Sequence, residues 1–398
     1  MRPLGVVAAA LVVSAAAVGC SAGESENNQA GACESPGVTS DQVKIGFVVS
    51  DSGPGHEALS SARAGVEARI GLVNAAGGIN GREITYDWRD DGSSASVNVV
   101  ATEELVRSEP VFGLLAVTTA LDPSMDALEA AGIPVVGLAA SPGWAKHRNM
   151  FSYSYEASPV TIGRYIQSLG GRKVAVLVAG AIDSVPETVA KYIAEMRAAG
   201  VNVVGSISYA SAAESPSRVV QRIASLGADS IVGFTTAEEF AEIIQAARSA
   251  ELRIVASVAQ AVYDRALLPT FGPALAGVSA PVYFRPFEAG GEAMDRYRDA
   301  MARFAPETGV PERQFALLAY VYTDLFIQGL ELAGACPTRA AFIEGLRKVT
   351  SYDAGGLIEP VSLRDNLGVQ LSCYAFVQVS PAGNEFQVVQ ERVCADGK

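Results

Sequence analysis

Histidine is almost absent from this chain: 398 residues contain two, His56 and His147. That scarcity takes away the commonest general base and the commonest metal ligand. No Gly-x-Ser-x-Gly, His-Glu-x-x-His or Cys-His nucleophile context occurs, so acid–base work would fall to carboxylates, and the sequence pairs none of them visibly. Basic residues are also short. Thirty Lys and Arg stand against 43 Asp and Glu, for a formal net charge of −13. No Lys/Arg run occurs, which argues against nucleic acid as a partner, since a phosphate backbone demands clustered positive charge. Charged residues make up only 18% and apolar ones 49%, the balance of a folded globular chain. Long apolar runs are missing too. The uncharged stretch at 4–18 falls short of the ~20 residues that a spanning helix needs.

What is present begins with that stretch. Arg2 precedes it, and Ala17-Val18-Gly19-Cys20 closes it with small residues before a cysteine. This resembles a bacterial lipoprotein signal, in which cleavage leaves Cys20 first and acylated, although Leu is usual where Ala17 stands. An ordinary secretory signal cut nearby is the alternative, and both export the protein. Residues 1–19 are read as the signal and 20–37 as a polar tether without aromatics. A lipid on Cys20 would anchor the chain to the outer face of the cell membrane, not span it. Cys33, Cys336, Cys373 and Cys394 then remain, an even number that suggests two disulfides in one of three pairings. Cys373 and Cys394 flank a predicted hairpin turning at 381–384, in near but not directly opposed register. Zinc is not expected, because there is no Cys-x-x-Cys spacing and histidine is so rare.

A chain of this length is expected to hold two domains. Strand patterns at 43–49, 83–88, 112–117, 134–138, 173–178, 201–207, 230–234, 254–258 and 277–280 alternate with helical ones. The helices are expected at 94–108, 123–131, 159–169, 186–199, 216–226 and 237–250, several opening on Pro. Such alternation predicts parallel sheets covered by helices. Phe315, Leu318, Tyr322, Leu325, Gly329 and Leu332 mark a long buried helix face. Thr338 is a candidate N-cap for a helix to 349, and strands at 373–379 and 386–393 close the chain.

The most distinctive stretch is Asn74-Ala75-Ala76-Gly77-Gly78-Ile79-Asn80-Gly81-Arg82. It joins a helix whose apolar face is Leu59, Ala62, Val66, Ile70 and Val73 to the strand beginning at Glu83. Glycine accepts positive φ and lets the chain stop a helix and turn back. With the preceding strand and the small-residue loop Ser50-Asp51-Ser52-Gly53-Pro54-Gly55, this turn resembles the type I periplasmic binding proteins. It is closest in kind to the branched-chain amino acid binding group that serves ABC importers. The resemblance covers about residues 38–380.

It implies two doubly wound parallel-sheet α/β lobes joined by a three-strand hinge. The implied boundaries are 38–138 and 283–352 for lobe one, and 139–282 and 353–398 for lobe two. It implies an extracytoplasmic solute-binding protein, a monomer, that captures a small amino-acid-like or other small polar metabolite and passes it to a permease. No enzymatic activity and no cofactor are expected. A ligand-sensing module of the same fold feeding a receptor, or an exported enzyme, are the other readings.

The site follows from the same resemblance. The first loop contributes Ser52, Gly53 and His56 at a helix N-terminus, which offers free N–H groups to a polar ligand. The second contributes Thr118 and Thr119, and the third Ala140 and Ser141. The second lobe contributes Asp183, Thr235, Thr236 and Gln260. Where relatives place an aromatic lid, this chain has Val185. Near Gln260 amino acid binders place a carboxylate for the ammonium, and none stands here before Asp264. Either Asp183 or Glu238 supplies that charge, or the ligand is not an α-amino acid. Gly53-Pro54-Gly55-His56-Glu57-Ala58 also fits a dinucleotide fingerprint, but Asp87 lies late for the ribose and export removes the chain from the cytoplasmic nicotinamide pool.

Overall fold

The computed structural model describes residues 35–108, 110–180 and 187–397. Cys20, the tether up to residue 34, Cys33 and Asp183 lie outside the described residues. Two sheets organise the rest. The first is wholly parallel and runs β2-β1-β3-β4-β5, from Gln42–Val49 (β1), Glu83–Asp90 (β2), Leu114–Val117 (β3), Val135–Gly137 (β4) and Met150–Phe151 (β5). Its central strands are apolar on both faces, as a parallel sheet covered by helices requires. Helices His56–Leu59 (α1), Ala62–Ala75 (α2), Ala95–Glu103 (α3) and Met125–Ala130 (α4) follow β1, β2 and β3. A single π-turn, Glu104–Ser108, ends α3 and accounts for the helical pattern read as far as 108.

The second sheet runs β12-β11-β10-β9-β8-β6-β7. Its parallel part is Lys173–Ala179 (β6), Asn202–Tyr209 (β7), Ser230–Phe234 (β8), Ala256–Ala259 (β9) and Ser279–Val282 (β10). Cys373–Val379 (β11) and Phe386–Cys394 (β12) extend it antiparallel. Pro159–Ser168 (α5), Glu187–Ala198 (α6), Pro216–Ser225 (α7), Ala237–Ser249 (α8) and Leu268–Leu275 (α9) belong to this half. Glu292–Phe304 (α10) and Gln314–Ala333 (α11) pack on α2, and Arg339–Leu346 (α12) packs on α11. Thr338 caps α12, accepting the Ala341 N–H at 3.1 Å. α11 is long and apolar enough to cross a membrane, but most of it is buried inside the fold, so it is a core helix.

The chain passes between the two halves three times: after β5, after β10 and before β11. The first crossing was expected near Leu138, yet the chain adds β5 to the first sheet beyond that point, pairing Val135 with Met150 and Val136 with Phe151. Bridges Ala157↔Leu371 and Tyr352↔Val361 brace the crossings.

The glycine-rich turn has a local explanation. Gly78 N–H returns to Val73 O at 3.0 Å and closes α2, and a Cβ on Gly78 would lie 2.0 Å from Arg82 O. Asn74 then clamps β2: its amide donates to Ile84 O and accepts from Ile84 N, both at 2.8 Å. Arg82 is buried and donates to Thr39 O at 2.7 Å and Ala335 O at 2.8 Å. The turn therefore fixes the far end of the first sheet, away from the strand ends that carry the loops below.

Cys373 and Cys394 form a disulfide at a directly paired position of β11 and β12, not the offset expected from the sequence. Irregular register between Tyr374 and Val377 brings them opposite. Cys336 is also disulfide-bonded.

Candidate functional site

The loops after β1, β2, β3 and β4 meet at the carboxyl edge of the first sheet, where open α/β sheets gather ligands. A buried polar network holds three of them together. Asp91 accepts the Ser50 hydroxyl at 2.8 Å, Ser93 N–H at 2.9 Å, the Asn98 amide at 2.9 Å and the Thr118 hydroxyl. Thr118 also accepts from Ser50 at 3.1 Å and from Ala120 N–H at 2.9 Å. Its hydroxyl is thus engaged inside the scaffold. Thr119 beside it is exposed.

Asp90 shapes the first loop. It accepts N–H groups of Asp51 at 2.9 Å, Ser52 at 3.1 Å and Gly92 at 2.9 Å. Burial works to raise its pKa, but bonds from the Ser52 side chain and those N–H groups outweigh it and hold the carboxyl below its ordinary range. Ser52 and Gly53 are exposed, and Gly53 packs its backbone on Gly92, where a Cβ would stand 2.1 Å from the carbonyl oxygen. His56 is exposed, with Nδ1 against Asp51 O. Ala140 is exposed. Ser141 donates to Asp122 and accepts Gly143 N–H at 3.2 Å, capping the short turn Pro142–Lys146.

In the second half, Thr235 is buried and donates to Thr236 O at 3.1 Å. Thr236 is the N-cap of α8 in a reciprocal capping box with Glu239. Glu238 is exposed on the first turn of that helix. Gln260 follows β9. The structure therefore groups Ser52, Gly53, His56, Thr118, Thr119, Ala140 and Ser141 on one sheet edge, and Thr235, Thr236 and Gln260 on the other. No hydrogen bond among the described residues joins the two groups.

Between the halves lies a tyrosine cluster that the sequence reading did not single out. Tyr153 sits in the first crossing, Tyr283 opens the second, and Tyr374 follows the third. Tyr322 comes from α11 and Tyr192 from α6. Tyr153 packs on Tyr322 at 5.9 Å, Tyr283 stands edge-on to Tyr374 at 5.1 Å, and Tyr192 edge-on to Phe234 at 4.8 Å. Burial pushes every one of these hydroxyl pKa values up, and proximity to Tyr283 adds to the effect at Tyr153, Tyr192 and Tyr374. Gln260 sits beside the Tyr192 hydroxyl without forming a bond of acceptable geometry. Tyrosine at each crossing is the signal the sequence offered. Without the crossings placed, those residues read as ordinary core.

Two hollows adjoin the crossings. One, about 420 Å³, is lined by Tyr153, Val361, Asn366 and Leu371; the other, about 220 Å³, by Tyr283, Phe284, Tyr374 and Ile358. They share Glu359, Cys373 and Arg392.

Comparison with known proteins accords with this geometry. A fatty acid ABC transporter substrate-binding protein from Thermomonospora curvata superposes with a TM-score of 0.74 at 17% identity, over 93% of this chain and 97% of that one. The branched-chain amino acid transporter substrate binding protein of Streptococcus pneumoniae, in complex with isoleucine, gives 0.69 at 18%, over 88% and 100%. A solute binding protein from R. palustris in complex with benzoate gives 0.67 at 17%, over 89% and 98%. No curated protein matches the chain. At these identities the likeness shows the fold, two α/β lobes of the type I arrangement. The sequence profile described as "Periplasmic binding protein" matches residues 42–384, and the chain belongs to that family.

Proposed function

We propose that this protein is the extracytoplasmic solute-binding subunit of an ABC importer. The observation that carries the reading is the family match over residues 42–384 together with two sheets linked by three crossings, an arrangement suited to hinge closure. Closure is driven by contacts that a solute makes with both halves only when they approach. The first half follows the five-stranded sheet with α10 to α12, and the second follows the seven-stranded sheet. The solute is a small amino-acid-like or other small polar metabolite, bound without turnover and handed to a membrane permease. The neighbours are named for a fatty acid, isoleucine and benzoate, each of which carries a carboxylate on an apolar body.

A thermal-shift screen over amino acids, amides, organic acids and small aromatics tests this. One class is expected to raise the melting temperature, because a ligand at 100 times its Kd stabilises the folded state by about 2.7 kcal/mol. Silence across the screen, or turnover of a compound, would sink the reading.

We also propose that Cys20 carries a lipid that holds the protein on the outer face of the cell membrane. Cys20→Ser should move the protein from the membrane pellet to the soluble fraction. Equal partition of the two forms would remove the anchor.

A further inference from the structure

Two of the five cysteines are accounted for, because Cys373 and Cys394 bond to each other on β11 and β12. Cys336 is disulfide-bonded as well, and it lies between α11 and α12. Its partner must come from the two cysteines that remain, Cys20 and Cys33.

The described residues on either side favour Cys33. Arg82 grips both segments at once, donating to Thr39 O at 2.7 Å and to Ala335 O at 2.8 Å. Thr39 stands six positions after Cys33, and Ala335 directly precedes Cys336. A second pair of contacts lies alongside. Arg339 donates to Phe112 O at 2.8 Å and to Val111 O at 2.7 Å. Gly37 packs on the same two residues: its φ is +73°, and a Cβ there would stand 2.4 Å from Phe112 N and 2.8 Å from Val111 C. Segments 37–39 and 335–339 are therefore brought to one place by groups that do not involve sulfur. Cys33 stands four positions before Gly37, and four residues of extended chain reach about 14 Å. A disulfide needs its Cα atoms about 4.4–6.8 Å apart, so a short stretch of chain suffices to bring Cys33 to Cys336. Cys20 stands 17 positions before Gly37 and has no such short route.

We propose that Cys33 and Cys336 form the second disulfide, and that this bond fastens the N-terminal tether to the core of the first half. Its formation takes one proton from each thiol and passes two electrons to an exported protein disulfide, which is left as a dithiol. The consequence is mechanical. Without the bond, the tether would continue into the turn Ser35–Val38, which is held by Val38 N–H on Ser35 O at 3.1 Å and by the bridge Val38↔Val43. A pull on the lipid would then load that turn and β1 behind it. With the bond, the pull passes to the end of α11, which is mostly buried and packs on α2. The tether then runs from Cys20 to residue 32, not to 37. Cys20 is left free for acylation. The mechanical role rests on the lipid anchor proposed above; the pairing does not.

Peptide mapping of the full, unreduced protein tests the pairing, with free thiols alkylated first. Cleavage after glutamate separates the candidates, because Glu24 and Glu26 lie between Cys20 and Cys33. The expected product is peptide 27–34 joined to peptide 332–344, parting on reduction. Alkylation of Cys33 or Cys336 as a free thiol would overturn the proposal and leave the lipid anchor standing. A link from Cys20 to Cys336 would overturn both. The fastening is tested by the double variant Cys33→Ser/Cys336→Ser, which should melt about 3–6 °C lower than the parent. A melting temperature equal to the parent's would show that the bond fastens nothing.

Discussion

Asp91→Ala should lose about 3–5 kcal/mol of unfolding free energy in a urea titration. Asp91 is wholly buried and accepts from four donors: Ser50, Ser93 N–H, Asn98 and Thr118. Alanine removes both acceptor oxygens at once. Each stranded donor costs about 1–3 kcal/mol if no water reaches it. Ser50, Asn98 and Thr118 are all buried, so rehydration is blocked without local opening. The network extends further, since Ser124 donates to Asn98 Oδ1 at 2.8 Å and Thr102 donates to Ser124 at 3.1 Å. Loss should therefore propagate from the loop after β2 into α3 and the turn before α4. A loss below about 1 kcal/mol would show that the donors find other acceptors and that the network does not fix the loops.

Gly65→Ala should also destabilise, by about 2–3 kcal/mol, against the usual sign for that exchange. Inside a helix alanine is normally better than glycine by about 1 kcal/mol. Here α2 crosses α11 at Gly65, and an added Cβ would stand 1.9 Å from Ala316 O and 2.9 Å from Tyr320 N. Those are backbone atoms of a buried helix, so no side chain can rotate out of the way. Overpacking of this kind costs about 1–3 kcal/mol, sometimes more, and must first cancel the propensity gain. Thermal unfolding of the variant reads the result. A melting temperature at or above that of the parent would show that the two helices separate easily.

Much of the architecture was legible in the residues. Ser230–Phe234 and Cys373–Val379 fall where the apolar runs place them, and Thr338 caps α12 as its position beside a helical pattern predicts. α10 was missed because only Met294, Tyr297, Ala300 and Met301 are apolar and buried in a segment otherwise crowded with charge. β5 was missed because two residues cannot show a period of two. α9 carries Pro273 in its interior, which argues against a helix in any sequence reading.

The site was legible as a set of loops but not as a set of free groups. Thr118, Ser141 and Thr236 have the hydroxyls that a ligand would use, yet the fold engages them with Asp91, Asp122 and the first turn of α8. Short polar side chains at strand ends serve loops and caps by the same chemistry that serves ligands, so their type alone does not separate the two.

By itself, the sequence determined the alternating α/β order and the family, because periodicity and the Asn74–Arg82 turn are local properties written in consecutive residues. Tertiary structure alone decided which hydroxyls are satisfied and which are not. Tyr153 and Tyr322 lie far apart along the chain, as do Tyr283 and Tyr374, and only the crossings bring each pair into contact. Whether a hydroxyl is paired is a property of the neighbours it meets, and those neighbours exist only once the two sheets are assembled.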